Sequence, residues 1–281
     1  DADALAEAAL FETGGQATLR VADGALVFPG VFEQPELTLA ALGAALQWQV
    51  RPGAGDAPPA IELQVQEASF ANADARGTLA GSWRTGAGDG FGDGRRYPGV
   101  IDLQGRIEQG ATRSVARYLP LGIPPATRRW VERAIGDGRL RDGSFVVRGD
   151  LWRFPYADGS PGSFRIRGRA EGMGLAYIPD EPGFASPWPA MQEVAGEIEF
   201  DRGSMRIRDA RARVGEIALE GVNGGIDDLT APVLQLQGHG RGPLAAMLGF
   251  VDTTPVGGWI GGALQQARGR GDATLDLALA I

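Results

Sequence analysis

Along most of this chain, apolar residues recur at every second position. Ile61, Leu63 and Val65 alternate with Glu62, Gln64 and Gln66, and Phe164 and Ile166 interleave with Arg165 and Arg167, with Arg169 two positions on. Ile198 and Phe200 alternate with Glu197 and Glu199, Met205 and Ile207 with Arg206 and Arg208, and Leu234 and Leu236 with Gln235 and Gln237. Leu275, Leu277 and Leu279 repeat the pattern near the C-terminal end. A strand turns successive side chains to opposite faces, so each segment reads as an antiparallel strand with one apolar and one wet face. Turn signals punctuate them at Ala22-Asp23-Gly24, Arg51-Pro52-Gly53, Arg141-Asp142-Gly143, Ala157-Asp158-Gly159 and Asp201-Arg202-Gly203. The 44 glycines and 18 prolines among 281 residues suit many short strands and exclude a helical bundle.

Helical signals are few. Pro124 and Pro125 open the run Ala126–Ile135, and Gly136 follows it, which is the usual punctuation of a helix. A shorter helix is predicted around 112–118, and a third over 243–250. Three short helices cannot cover about a dozen strands. Either the sheet curls on itself, or two sheets pack, or the apolar face meets something outside the protein.

Composition removes several functions. There is no cysteine, so disulfide frameworks and thiolate metal sites are excluded. His239 is the only histidine, which excludes a multi-histidine metal centre. All 27 basic residues are arginine, so Schiff-base lysine chemistry and a Walker lysine are excluded. A net charge of −8 argues against a general nucleic-acid binder. No run reaches the ~18 apolar residues of a membrane span. The alternation is still running at Ile281, and both ends read as cut from a longer protein.

Candidate chemistry is sparse. The stretch Gly86–Gly94 has the glycine density of a calcium β-roll turn but lacks tandem copies, and it reads as a mobile loop joining two strands. His239 lies in Gly238–Gly242 without a G-x-S-x-G elbow, and reads as a solvent-facing side chain. The carboxylate pairs Glu197 with Glu199, Asp180 with Glu181 and Asp227 with Asp228 read as solvated surface rather than a glycosidase dyad. Arg270-Gly271-Asp272 carries too little information to mark an adhesion site. The residues alone thus read as a large, curved, one-faced antiparallel sheet that is not an enzyme and needs no cofactor.

An ordered series of pieces takes the reading further. Arg117-Tyr118-Leu119-Pro120, Pro124 to Trp130, Gly138, Gly149-Asp150-Leu151 and Phe154-Pro155 occur in turn. Gly162-Ser163-Phe164, Tyr177, Trp188-Pro189-Ala190, Gly196 to Phe200, Met205-Arg206-Ile207 and Pro243 to Phe250 follow. This series resembles the YhdP-type branch of the AsmA-like envelope proteins, most closely over 98–260. The resemblance implies a mainly β body, a long, strongly curved, U-shaped antiparallel sheet with an apolar inner groove and a few short helices near 112–136 and 243–250. It implies a periplasmic segment of a protein anchored in the inner membrane of a Gram-negative envelope. It also implies transport of phospholipid between inner and outer membrane, with acyl chains as partners, possible envelope proteins beside them, and no nucleic acid.

On this reading the chain divides into an N-terminal β segment (1–110), a helical insert (111–138) and a C-terminal β segment (139–281) that continues the same sheet. The expected groove lining is Ile61, Leu63, Val65, Phe164, Ile166, Ile198, Phe200, Met205, Ile207, Leu234, Leu236, Leu275, Leu277 and Leu279. Two other functions stay open at this point. One is a structural or assembly module of the envelope, its apolar face filled by its own side chains. The other is a carbohydrate-active β-protein, which requires two carboxylates converging in a cleft.

Overall fold

The computed structural model describes residues 13–53, 55 and 57–281; residues 1–12 of the expected N-terminal β segment lie outside them. The described strands form one twelve-stranded sheet in which every strand pairs antiparallel with its neighbours in sequence. The first half comprises β1 (Thr13–Val27), β2 (Glu36–Arg51), β3 (Ala60–Ala71), β4 (Ala75–Arg84), β5 (Val100–Ala111) and β6 (Arg139–Asp150). The second comprises β7 (Gly162–Leu175), β8 (Met191–Asp201), β9 (Ser204–Val214), β10 (Ile217–Ile226), β11 (Gln235–Pro243) and β12 (Asp272–Ala280). The sheet is open: β1 and β12 are its two edges. This is the mainly β, curved, groove-like architecture expected above.

The helices sit in the connections. A 3₁₀ turn (Thr112–Tyr118) and helix α1 (Pro125–Ala134) join β5 to β6, which pair directly with each other. Helices α2 (Leu244–Thr253) and α3 (Pro255–Trp259) join β11 to β12. The short α3, and a 3₁₀ turn at Leu151–Arg153, carry no sequence signal beyond a proline and a loop.

Two of the turn signals do not turn the chain. Asp23 (φ 52°) and Asp142 (φ 51°) lie inside β1 and β6. A left-handed residue can be absorbed as a bulge where the strand keeps a partner on its flank, and the ladder of β6 with β7 shifts register between Arg141 and Ser144. By contrast, Arg202 (φ 53°) does close the tight β8–β9 hairpin.

Bulges and glycines bend the sheet. A Cβ added at Gly77 or Gly81 of β4 would lie 2.1 or 2.3 Å from the carbonyl oxygens of Arg106 or Asp102 on β5. Such close approach occurs where a sheet folds sharply toward the side on which that Cβ would stand, and only glycine fits there. Gly77 and Gly81 point to the same side as Leu79 and Trp83, so between β4 and β5 the sheet is concave on its apolar side.

The fold has little interior. The chain exposes 17544 Å², about one and a half times the ~11,500 Å² of a compact protein of this mass. Among the described residues, the buried apolar side chains are mostly alanines, with Leu39, Val214 and Tyr156. A single layer leaves its apolar face with no second layer to cover it.

Candidate functional site: an uncovered apolar face

Opposed residues in an antiparallel ladder point to the same side, so register defines the face. One row runs Val21, Leu42, Phe70, Gly77, Ile107 and Gly143 across β1 to β6. Gly143 meets Gly168 across the β6–β7 bulge. The row then continues through Ile198, Ile207, Gly224, Leu236 and Leu279 to β12. Every strand contributes one residue, and each is apolar or glycine.

Parallel rows flank it. One links Leu19, Ala44, Ala68, Leu79, Gly105, Phe145, Ile166, Phe200, Met205 and Ile226. A third joins Ala17, Leu46, Val65, Gly81, Leu103, Val147 and Phe164. Trp48, Leu63, Trp83 and Ile101 form a fourth beside it.

The register thus puts Ile61, Leu63, Val65, Phe164, Ile166, Ile198, Phe200, Met205, Ile207, Leu236, Leu275, Leu277 and Leu279 on one face. Leu234 precedes β11, but it exchanges two backbone hydrogen bonds with Ile281 and so extends the β11–β12 ladder onto the same side. None of these residues is buried. Ile166, Leu275 and Leu279 are 41, 48 and 47% exposed. An ordinary core residue between two packed sheets is covered on both sides, and these are not.

Sequence reading missed much of this face. In β5, Ile101, Leu103 and Ile107 alternate with Asp102, Gln104 and Arg106, and that signal was there to be found. On β2, Leu42, Leu46 and Trp48 are masked because Gly43 and Ala45 on the other face are not polar. Glycines at 77, 81 and 105 interrupt the pattern on β4 and β5, and only the ladder assigns them to a face.

The opposite, polar face is laced with ions. Arg148 donates to Asp102 (2.9 Å) and Arg165 to Asp201, each pair directly opposed in register. Arg208 reaches both Glu197 (2.8 Å) and Glu199 (3.1 Å). These hydrogen bonds hold the Arg208 guanidinium above its ordinary range, Glu199 contributing most. Exposed cross-strand pairs of this kind add little to stability, because water and salt screen them.

The carboxylate pairs do not converge on a cleft. Asp227 is bonded by Arg206, Asp228 caps Thr230, Asp180 accepts from the Ser186 amide, and Glu181 pairs with Arg133. His239 is exposed, 2.7 Å from Asp276 on the polar face. Among the described residues no group of three His, Asp or Glu side chains is placed to hold a metal ion, and no helix is long and apolar enough to cross a membrane.

The two rims differ. On one, the connections carry helices. Tyr118 donates to Asp74 (2.8 Å) and accepts from Asn72 (2.8 Å), while Ser114 and Arg117 reach the same Asp74 carboxylate. Burial pushes the Tyr118 hydroxyl up, and its bond to Asp74 adds to the shift. Further along, Trp130 donates to the Tyr177 carbonyl (3.2 Å), and Trp188 packs against Tyr177, Phe250 and Trp259.

On the other rim, loops fold against the apolar face. Tyr156 is fully buried, its ring lying over Gly149 and Gly162, and Phe154 meets Phe164 edge-on at 4.7 Å. Gly86–Gly94 does join two strands, and it is tied down. Gly88 donates to Gly94, Gly94 to Asp150, and Arg153 clamps Asp93 (2.7 Å).

A family model described as "YhdP protein" matches residues 3–281. Among curated proteins, the chain is similar to the "Intermembrane phospholipid transporter YhdP" of Escherichia coli (strain K12), with 24% identity over 152 residues. That match covers 54% of this chain and 11% of the relative. No solved structure matches.

Proposed function

Since this chain belongs to the YhdP family, we propose that its concave face carries phospholipid acyl chains between the inner and outer membrane of a bacterial envelope. The observation that carries the reading is the row from Val21 to Leu279, unbroken by any polar residue and, among the described residues, covered by no second layer. Eleven strand spacings at ~4.8 Å give a track of about 53 Å along the sheet, longer than one acyl chain.

The physics asks for little more. Each methylene exposed to water costs about 0.8 kcal/mol, so a bare sixteen-carbon chain faces a barrier above ~10 kcal/mol. A continuous apolar floor removes most of that cost at every step, while the headgroup stays at the open, wet side. Transport then needs no reacting group. It needs a floor without deep traps, so that a lipid moves on as readily as it arrives. The place for this is the periplasm, and the chain acts as one segment of a longer bridge.

The test is native mass spectrometry of the detergent-free protein, with lipid extraction from the same sample. Bound phospholipid is expected. A monodisperse protein free of lipid, which also takes none from vesicles, overturns the reading in favour of an assembly module that works through protein contacts.

A further inference from the structure

The apolar face is lined by large side chains that do not stand up from it. In a pleated sheet a side chain ordinarily projects roughly perpendicular to the surface. Here the Trp48 ring lies across Gly15, so that a Cβ there would be 2.4 Å from its Cζ2. Phe145 lies across Gly105 (2.4 Å) and Leu140 across Gly168 (2.7 Å) in the same way. Each large residue occupies the space that a neighbouring strand leaves empty.

At two of these glycines the added Cβ would meet a side chain first, not backbone. At Gly105 the added Cβ would also strike the Thr78 carbonyl oxygen, 2.7 Å away, so its backbone contact already demands glycine. At Gly168 the only atoms closer than 3.5 Å belong to the Leu140 side chain, and the next, Gly143 Cα, is at ordinary contact distance (3.6 Å). At Gly15 the three nearest atoms belong to the Trp48 ring. Neither residue adopts a positive φ. What Gly168 and Gly15 make room for is a side chain lying flat.

We propose that Gly168 and Gly15 set the depth of the acyl track, by letting Leu140 and Trp48 lie down on the sheet instead of rising into the groove. A side chain laid flat adds one atomic layer, ~3.5–4 Å, to the floor. A β-branched residue at either position fits strand backbone but takes the space below the neighbour, which must then tip upward. Gly168 sits in the middle of the row that crosses all the strands, where a raised side chain narrows the track for every lipid that passes. The inference rests on the reading of this face as a lipid track.

The experiment follows uptake of a phospholipid bearing one fluorescent acyl chain, from phosphatidylcholine vesicles, by the whole chain and its variants. Gly168→Val is expected to fold and to take up at least fivefold less lipid than the parent. Gly168→Val combined with Leu140→Ala is expected to recover most of the loss. Gly15→Val, alone and with Trp48→Ala, gives an independent pair with the same expected pattern. Uptake by a folded Gly168→Val equal to that of the parent overturns the inference, as does a double variant that stays impaired. Unfolding of both valine variants overturns it too, since the glycines would then serve the fold. A parent protein that takes up no lipid overturns the reading on which the inference rests. The two failures are thus distinct.

Discussion

Ile166→Asp places a carboxylate on the floor of the groove between Phe145 and Phe200. Ile166 is 41% exposed in the free protein, so losing its partial burial costs the fold only about 1–2 kcal/mol. The larger effect falls on the lipid. A chain lying over the site must desolvate the new charge or lift away from it, and lifting uncovers roughly three methylenes, or ~2.4 kcal/mol. At 1.36 kcal/mol per tenfold, retention of a fluorescent phospholipid falls about 60-fold. The control is Ser144→Asp, one residue from Phe145 but on the polar face opposite Arg167, where the same charge meets a cation. It is expected to leave retention within about twofold, an effect of exposed charge alone. Equal retention by both variants, each folded by circular dichroism, would refute the assignment of the concave face to lipid.

Other perturbations test the frame. Tyr118→Phe removes the hydroxyl that ties the helical insert to Asp74 and is expected to cost about 1–2 kcal/mol in urea unfolding. The raised Tyr118 pKa means its contribution is complete below pH ~10 and is lost as pH rises further, because the unfolded tyrosine ionises first; Tyr118→Phe should flatten that alkaline slope. Arg153, mainly by its hydrogen bond, holds the Asp93 carboxyl below the ordinary range. The tie between the two rim loops should therefore persist above the usual aspartate pKa and open only as acid protonates Asp93. Carboxylate titration by NMR should show the Asp93 pKa rising in Arg153→Ala. Gly81→Ala forces a Cβ against the Asp102 carbonyl oxygen and should destabilise the sheet by about 1–3 kcal/mol, read by thermal melting.

Much of this protein is written in its period-two pattern. Side-chain alternation alone assigns Ile198, Met205, Leu236 and Leu277 to one face of a strand, because the pleat admits only two directions. Proline before Ala126 and glycine after Ile135 likewise mark α1 locally. The local code also misleads. Asp23-Gly24 and Asp142-Gly143 look like turns, and the structure keeps both inside strands, the first with no shift of register and the second as a bulge against β7, because a strand held by a partner tolerates one left-handed residue. Nothing local distinguishes the two outcomes.

What the sequence determined by itself is that each strand has an apolar side and that helices are too few to cover those sides. What the tertiary structure decided is that the sides are one surface. Only register joins Val21 to Leu279 through twelve strands, and only register places Gly77, Gly143 and Gly168 within that row. A glycine has no side chain to carry a pattern, so its face is invisible until its partner is known. The same holds for the open groove. Alternation is identical in a sandwich, where a second sheet covers the apolar face, and in a single bent layer, where nothing does. The difference lies in the pairing of each strand with its sequence neighbours alone, and in the close approaches that bend the sheet between β4 and β5 toward its apolar side.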